Sequence, residues 1–307
     1  MEHTLIENSA KKIRVSIIML TYQRAPLIME SVNSILQQSF EEYELLILDD
    51  GSTDNTKELI DSIKDPRIKY FSFEHTSKIS YLRNFGIKHS HGKYVAFIDS
   101  DDLWEKDKLK NQAAILDDNP EVGLTFSEIE EFSTNGFSKK GLYHAYRNGE
   151  KFYRGSIFNF LIANKMAIYP SSVMFRRDCL ERTGLLDEKL RPGESNFFIR
   201  LSFSFEAYIE FEYLVKIRKH PGNTSPHLLE TSFNEMVHTI TYFYNEGDIS
   251  KKIFTQSLLS LQYGFALDFW RKKDFVHSRI QLLNCLKTNP FFFKAALRYL
   301  LSHLKRK

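Results

Sequence analysis

The sequence predicts an α/β protein, an open and mostly parallel sheet flanked by helices, followed by a C-terminal helical extension. Three observations predict it. Up to Pro120, short apolar runs alternate with amphipathic stretches of helical period. Two of those runs end in acidic clusters, Asp49-Asp50-Gly51-Ser52 and Asp99-Ser100-Asp101-Asp102. From Ser232 onward the pattern is helical throughout.

The elements follow in order. Val15 to Leu20 reads as a buried strand, and Leu27 to Gln38 as a helix with Ile28, Val32, Ile35 and Leu36 on one face. Tyr43 to Leu48 is the second strand. Asn55, with Glu58 three residues on, has the form of a capping box opening a helix to Ile63. Strands at Ile68–Phe73 and Tyr94–Ile98 enclose a helix at Ile79–His89, and a helix at Lys106–Asp118 stops before Pro120. This β-α repetition implies a parallel sheet. Strand-like pieces then recur at Gly123–Phe126, Val173–Phe175 and Ala207–Arg218, around a helix at Glu194–Phe203. Ser133 to Gly155 reads as a hairpin or an excursion. Four helices follow, near 232–245, 251–271, 275–286 and 291–304. Pro221, Gly222 and Pro226 mark a boundary, giving an α/β domain over 1–225 and a helical extension over 226–307.

Composition narrows the class. With 307 residues, 42% apolar and 26% charged, the chain has material for a large core. A net charge of +3 gives no case for nucleic acid. The two cysteines, Cys179 and Cys285, are far apart and read as reduced, buried thiols. Met1 to Lys12 lacks the apolar core of a leader, and no stretch is apolar over the length of a membrane span, so the expected compartment is cytoplasmic.

The acidic clusters carry the chemistry. Ligands of open parallel sheets bind beyond the carboxyl ends of the strands, which is where both clusters fall. Asp50 could accept the imide N–H of a uracil ring, although Asp-Gly-Ser is also an ordinary turn sequence. Three carboxylates within four positions at Asp99–Asp102 repel one another unless a cation joins them. Oxygen ligands there suit Mg²⁺ or Mn²⁺ bridging phosphates, the alternative being a solvated turn before the next helix. Lys78 and Arg83 lie where cations could reach phosphates, or form a solvated basic face. His220 sits in a loop, where a lone histidine is more often structural than a ligand.

Taken together, these segments resemble the inverting glycosyltransferase family 2, of GT-A fold with a Rossmann-like sheet, over Val15 to Gln112. Val15 to Tyr22 is similar to the family's opening strand, with Leu20 and Tyr22 at the nucleotide. Asp49 to Asp54 is similar to its uridine turn, with Asp50 toward the base. Arg83 to Ile87 and Gly92 to Trp104 resemble the segment that ends in the DXD motif. The resemblance implies that Asp101 and His220 are the metal residues, with His220 closing over the diphosphate, and that Asp99, Ser100 and Arg83 hold the nucleotide. It implies Mn²⁺ or Mg²⁺ as cofactor, a UDP-sugar as donor, and a glycan or lipid-linked hydroxyl as acceptor, in surface polysaccharide synthesis. Weaker resemblance runs to Ser225. Where the family carries a Glu-Asp pair with the general base, this chain has Gly193-Glu194-Ser195, so Glu194 inherits that role and Asp187 is next in line. Lys78 stands where many members have glycine. Donor choice is expected to depend on the loops around Trp104 and Ser171–Ser172.

Two other classes use similar parts. A nucleotidyltransferase would place a glycine-rich phosphate loop near the first strand, and Leu20 to Ala25 has no glycine. A receiver-type phosphoacceptor domain would need one acceptor Asp with a lysine partner, in roughly half this length. In the last helix, Phe291, Phe292, Ala295, Ala296, Leu297, Tyr299, Leu300 and Leu304 give a broad apolar surface, and Lys294, Arg298, Lys305, Arg306 and Lys307 add charge. That pattern fits a core helix with a basic end, or peripheral contact with an anionic membrane.

Overall fold

The computed structural model describes residues 12–133, 136–223 and 228–304. In chain order the strands are β1 (Val15–Thr21), β2 (Tyr43–Asp49), β3 (Ile68–Ser72), β4 (Tyr94–Asp99), β5 (Leu103–Trp104), β6 (Val122–Ser133), β7 (Gly136–Lys140), β8 (Phe152–Gly155), β9 (Val173–Arg176) and β10 (Glu206–Arg218). The helices are α1 (Ile28–Leu36), α2 (Thr56–Asp61), α3 (Ile79–Lys88), α4 (Lys108–Asp118), α5 (Phe158–Ile162), α6 (Cys179–Thr183), α7 (Glu194–Ser204), α8 (Leu229–Asn245), α9 (Lys251–Arg271), α10 (Phe275–Thr288) and α11 (Phe293–Leu304).

The chain divides into two compact units. The first comprises the chain up to Gly155, Ile168–Leu186 and Ser204–Pro221; the second comprises Ser156–Ala167, Asp187–Phe203 and the chain from Gly222 on. The boundary expected between 225 and 226 lies outside the described residues, as do the first eleven residues, read above as lacking a leader, and Lys305, Arg306 and Lys307.

The first unit holds one mixed, mostly parallel sheet in the order β3-β2-β1-β4-β9-β6-β10-β5, with β7 on β6 and β8 on β10. β3, β2, β1 and β4 are parallel neighbours. β9 runs antiparallel between β4 and β6, and β5 antiparallel to β10. Every residue of β2 is buried, and all of β1 except Leu20, because helices cover both faces. Ile17, Met19, Leu45, Ile47, Ala96 and Ile98 form one core with Val32 and Ile35 of α1 and Leu109 and Leu116 of α4. A Cβ on Gly86 of α3 would lie 2.8 Å from Ile18 Cγ2, so glycine lets that helix seat on the sheet.

Several local expectations are revised. Asn55 makes no side-chain cap on α2. Asp54 serves instead, its Oδ1 accepting from Thr56 N at 3.2 Å and from the Thr56 hydroxyl at 2.6 Å. α4 begins at Lys108, two residues later than its pattern, and β6 runs to Ser133 because β7 folds back on it as a hairpin. Short elements such as β5, α5 and α6 carry too few residues for a period to show. Both cysteines are free and buried, and burial pushes each thiol up to about 12.

In the second unit Phe158, Phe203 and Phe243 form an aromatic cluster with ring centroids 4.9–5.1 Å apart. Ser250 and Asp274 cap α9 and α10, accepting from Ile253 N and His277 N. α9, α10 and α11 share a core of Ala266, Leu282, Cys285 and Ala295. α11 starts at Phe293, and Phe292, Ala295 and Tyr299 of its expected apolar surface pack inward against that core.

Lys108 is fully buried beneath the sheet edge. Its Nζ donates to Gln112 Oε1 at 2.7 Å and lies 4.1 Å from the Trp104 ring centroid. Burial pulls its ammonium down to about 7. The folded chain therefore binds this proton more weakly than the unfolded chain, and stability from this group rises between pH 7 and lysine's ordinary value of about 10.4. Lys108→Met is expected to lack that rise, a difference on the order of 1 kcal/mol or more between pH 7 and 10, read by urea denaturation at both values. Parallel pH profiles for parent and variant would refute it.

Candidate active site

Sheet register puts both acidic clusters at one edge. Leu20 lies beside Leu48 and Asp99, and Thr21 beside Asp49. The loops after β1 and β2 are tied together, with Gln23 N donating to Ser52 Oγ at 2.8 Å and Ala25 N to Asp54 Oδ2 at 3.0 Å. Asp49 is a turn former: it accepts from Ser52 N at 2.8 Å and from the Tyr70 hydroxyl. Asp50 is held by the segment after β3, accepting from Thr76 N at 2.7 Å, the Thr76 hydroxyl at 2.9 Å and Ser77 N at 2.8 Å. This close approach requires Gly51, which has φ +84° and whose Cβ would stand 2.7 Å from His75 N.

Tyr22 is exposed, and the His75 ring stacks on it with centroids 4.1 Å apart and planes 18° from parallel. His75 Nδ1 also lies 3.1 Å from Asp50 Oδ2. His75 was missed in the sequence, where nothing pairs a histidine after β3 with a tyrosine after β1. The arrangement presents an aromatic face beside a carboxylate, the elements needed to hold a planar base. Lys78, just before α3, is exposed.

The second cluster separates into distinct tasks. Asp101 Oδ2 is 2.9 Å from His220 Nε2 and 3.6 Å from Arg24 Nε. Asp102 is buried, accepting from the Ser171 hydroxyl at 2.6 Å and Arg218 N at 3.1 Å. Asp99 Oδ1 accepts from Arg83 at 2.9 Å, and its backbone N donates to Ser171 Oγ at 3.0 Å. Partial loss of hydration, with Asp101 adding to it, pushes the half-exposed Asp99 carboxyl up against the opposing pull of Arg83. Burial, then the charges of Asp99 and Asp101, holds Asp102 well above the usual carboxylate range. Arg83 is itself buried, stacked 4.4 Å over Phe97 and bonded to Ile18 O at 3.0 Å, so it orients Asp99 from below. Ser100 is buried, and its carbonyl accepts from the Ser31 hydroxyl at 2.9 Å.

Trp104 and Ser171–Ser172 are buried as well. Trp104 Nε1 donates to Ser171 O at 2.8 Å and Gln112 Nε2 to Ser172 O at 2.9 Å. Ser171 therefore links the backbone of β4 to Asp102, a role that no sequence pattern announces. Ser171→Ala leaves the Asp102 carboxyl short of a donor and is expected to cost about 1–3 kcal/mol, measured by urea denaturation. An unchanged midpoint would remove Ser171 from this role.

Asp101 Oδ2 and His220 Nε2 set one oxygen and one nitrogen donor side by side. That donor pair fits Mn²⁺ more readily than Mg²⁺, which prefers oxygen ligands. Among the described residues no three Asp, Glu, His or Cys side chains form a preformed metal cage.

Glu194 lies in the second unit as the first residue of α7, half-buried. The start of that helix is anchored by Glu235 of α8, which accepts from Gly193 N at 3.1 Å and Asn196 N at 2.8 Å. Asn196 Nδ2 donates to Thr239 Oγ1 at 3.0 Å. Glu235, between Asn234 and Met236, carries no sequence signal of this long-range cap.

Acidic clusters at the carboxyl edge of a mostly parallel sheet, beside the Tyr22–His75 stack, form the kind of edge at which such sheets bind ligands. The sequence matches the glycosyl transferase family 2 model over residues 16–184, more than half of the chain, and the chain belongs to that family. An uncharacterized glycosyltransferase of Rickettsia felis is 30% identical over 92% of this chain and 46% of its own length. The Escherichia coli UDP-Glc:alpha-D-GlcNAc-diphosphoundecaprenol beta-1,3-glucosyltransferase WfgD is 34% identical over 41% of this chain and 49% of its own. The chain thus spans less than half the length of the first curated relatives that it matches. Among solved structures, S. aureus TarS 1-349 in complex with UDP-GlcNAc has a TM-score of 0.68 at 18% identity, covering 90% of this chain and 81% of that one. The mannosyltransferase PcManGT of Pyrobaculum calidifontis, in complex with GDP-Man and Mn²⁺, has a TM-score of 0.62 at 18% identity, over 96% and 81%. At such identities these structures establish the GT-A fold alone. The family match leaves the nucleotidyltransferase and phosphoacceptor readings without support.

Proposed function

We propose that the chain is a metal-dependent, inverting glycosyltransferase that moves a sugar from a UDP-sugar to a hydroxyl of a glycan or lipid-linked acceptor, in surface polysaccharide synthesis. The observation that carries this is the convergence of Asp101 and His220 at the sheet edge that also bears Asp50, Tyr22 and Asp99. Tyr22 takes the uracil ring, with His75 as its neighbour, and Asp50 accepts the imide N–H. Leu20 and Ser100 shape the floor beneath the nucleotide. Arg83 acts on it through Asp99, which meets the ribose. Asp101 and His220 hold Mn²⁺ or Mg²⁺, which when bound neutralises charge developing on departing UDP. Glu194 takes the proton of the acceptor hydroxyl, whose oxygen attacks the anomeric carbon from the face opposite UDP and inverts it. The name of WfgD, with its UDP-Glc donor and GlcNAc-diphosphoundecaprenol acceptor, supports UDP as the nucleotide and a lipid-linked acceptor.

Isothermal titration of UDP with and without Mn²⁺ tests the donor half. Tight binding that requires Mn²⁺ is expected. A screen of UDP-sugars for metal-dependent hydrolysis then names the sugar. Preference for GDP over UDP would overturn the uridine assignment.

A further inference from the structure

We infer that the outer face of α11, with the neighbouring outer face of α10, docks on an anionic lipid bilayer. α11 turns Ala295 and Ser302 fully inward. On its opposite side stand Phe293, Leu297 and Leu300, spaced to form one stripe and preceded by Phe291. Phe291 and Phe293 are 79% and 77% exposed, too open for core residues. α10 repeats the arrangement: Ser278, Leu282 and Cys285 point inward, and Val276, Ile280 and Leu283 point out. Scattered surface apolar residues are ordinary, but stripes on successive helices mark an interaction surface.

Charge selects the occupant. Residues 271–307 carry ten Lys and Arg and one acid, Asp274, whereas the whole chain is only +3, so the rest of the chain is net negative. Lys287 and Lys294 stand exposed beside the stripes, and Arg271, Lys272 and Lys273 are exposed ahead of α10. A second copy would bring the same positive charge to the same face and be repelled. An anionic bilayer supplies both the apolar layer and the opposite charge, and each surface Lys or Arg strengthens such contact. Among the described residues no helix is long and apolar enough to cross a membrane, so the contact is interfacial.

The test is co-sedimentation of the full chain with vesicles of phosphatidylglycerol and phosphatidylcholine, against phosphatidylcholine alone. Binding to the anionic vesicles only, released by high salt, is expected. Phe291→Ser with Phe293→Ser and Leu297→Ser should weaken it at least tenfold. Lys287→Glu with Lys294→Glu, which disturbs no packing, should do the same. UDP binding should be unchanged in both. A parent protein that stays in the supernatant overturns the inference, as does either variant binding like the parent. So does a parent that is dimeric in solution and that the Phe291 variant makes monomeric, since a second copy would then own the face. The assay reads no sugar transfer, so its failure leaves the proposed reaction standing.

Discussion

Asp101→Ala is expected to abolish sugar transfer and to weaken UDP binding in Mn²⁺ at least tenfold, about 1.4 kcal/mol, while leaving binding in EDTA nearly unchanged. Asp101 is the carboxylate that meets His220, at 2.9 Å. Asp102, one residue on, is committed to Ser171 and the backbone of Arg218 and has little left to offer a cation. The fold should tolerate the change, because the bond that ties this turn to Arg218 uses the Asp101 carbonyl, not its side chain. Titration calorimetry on parent and variant, with and without metal, reads the result. Equal UDP affinity of the parent in Mn²⁺ and EDTA would sink the metal assignment.

Glu194→Gln is expected to lower kcat by at least ~100-fold with donor affinity nearly intact, the usual scale for losing a general base. Glutamine keeps the size of the side chain and removes its basicity. Glu235 accepts the Gly193 and Asn196 amides, an anchor at the start of α7 that the variant keeps. Circular dichroism and UDP titration would establish that the variant is folded and loaded, and initial rates would measure the loss. Parental turnover in the variant would move the base elsewhere, with Asp187, in the same unit, the next candidate.

The sequence by itself determined the α/β plan. Strands buried on both faces must be nearly all apolar, and helices lying on a sheet must show a 3.6-residue stripe, so β1 to β4 and α1 to α4 were legible within two residues or so. It also placed Asp50, Asp99 and Asp101 at strand ends, because the apolar runs stop where the sheet meets solvent. Helices α7 to α11 were visible for the same reason, though not which stripe of α11 faces the core: Phe292, Ala295 and Tyr299 turn inward and Leu297 and Leu300 outward. Tertiary structure alone decided the rest. The insertion of β9 antiparallel between β4 and β6 joins residues with no local signal. The links Ser171–Asp102, His220–Asp101 and Arg83–Asp99 span 69, 119 and 16 positions. Period and propensity report only on neighbours along the chain, whereas these bonds are set by which strand ends the folded sheet brings together. That is why the three carboxylates of one short motif, alike in the sequence, acquire different partners and different chemistry.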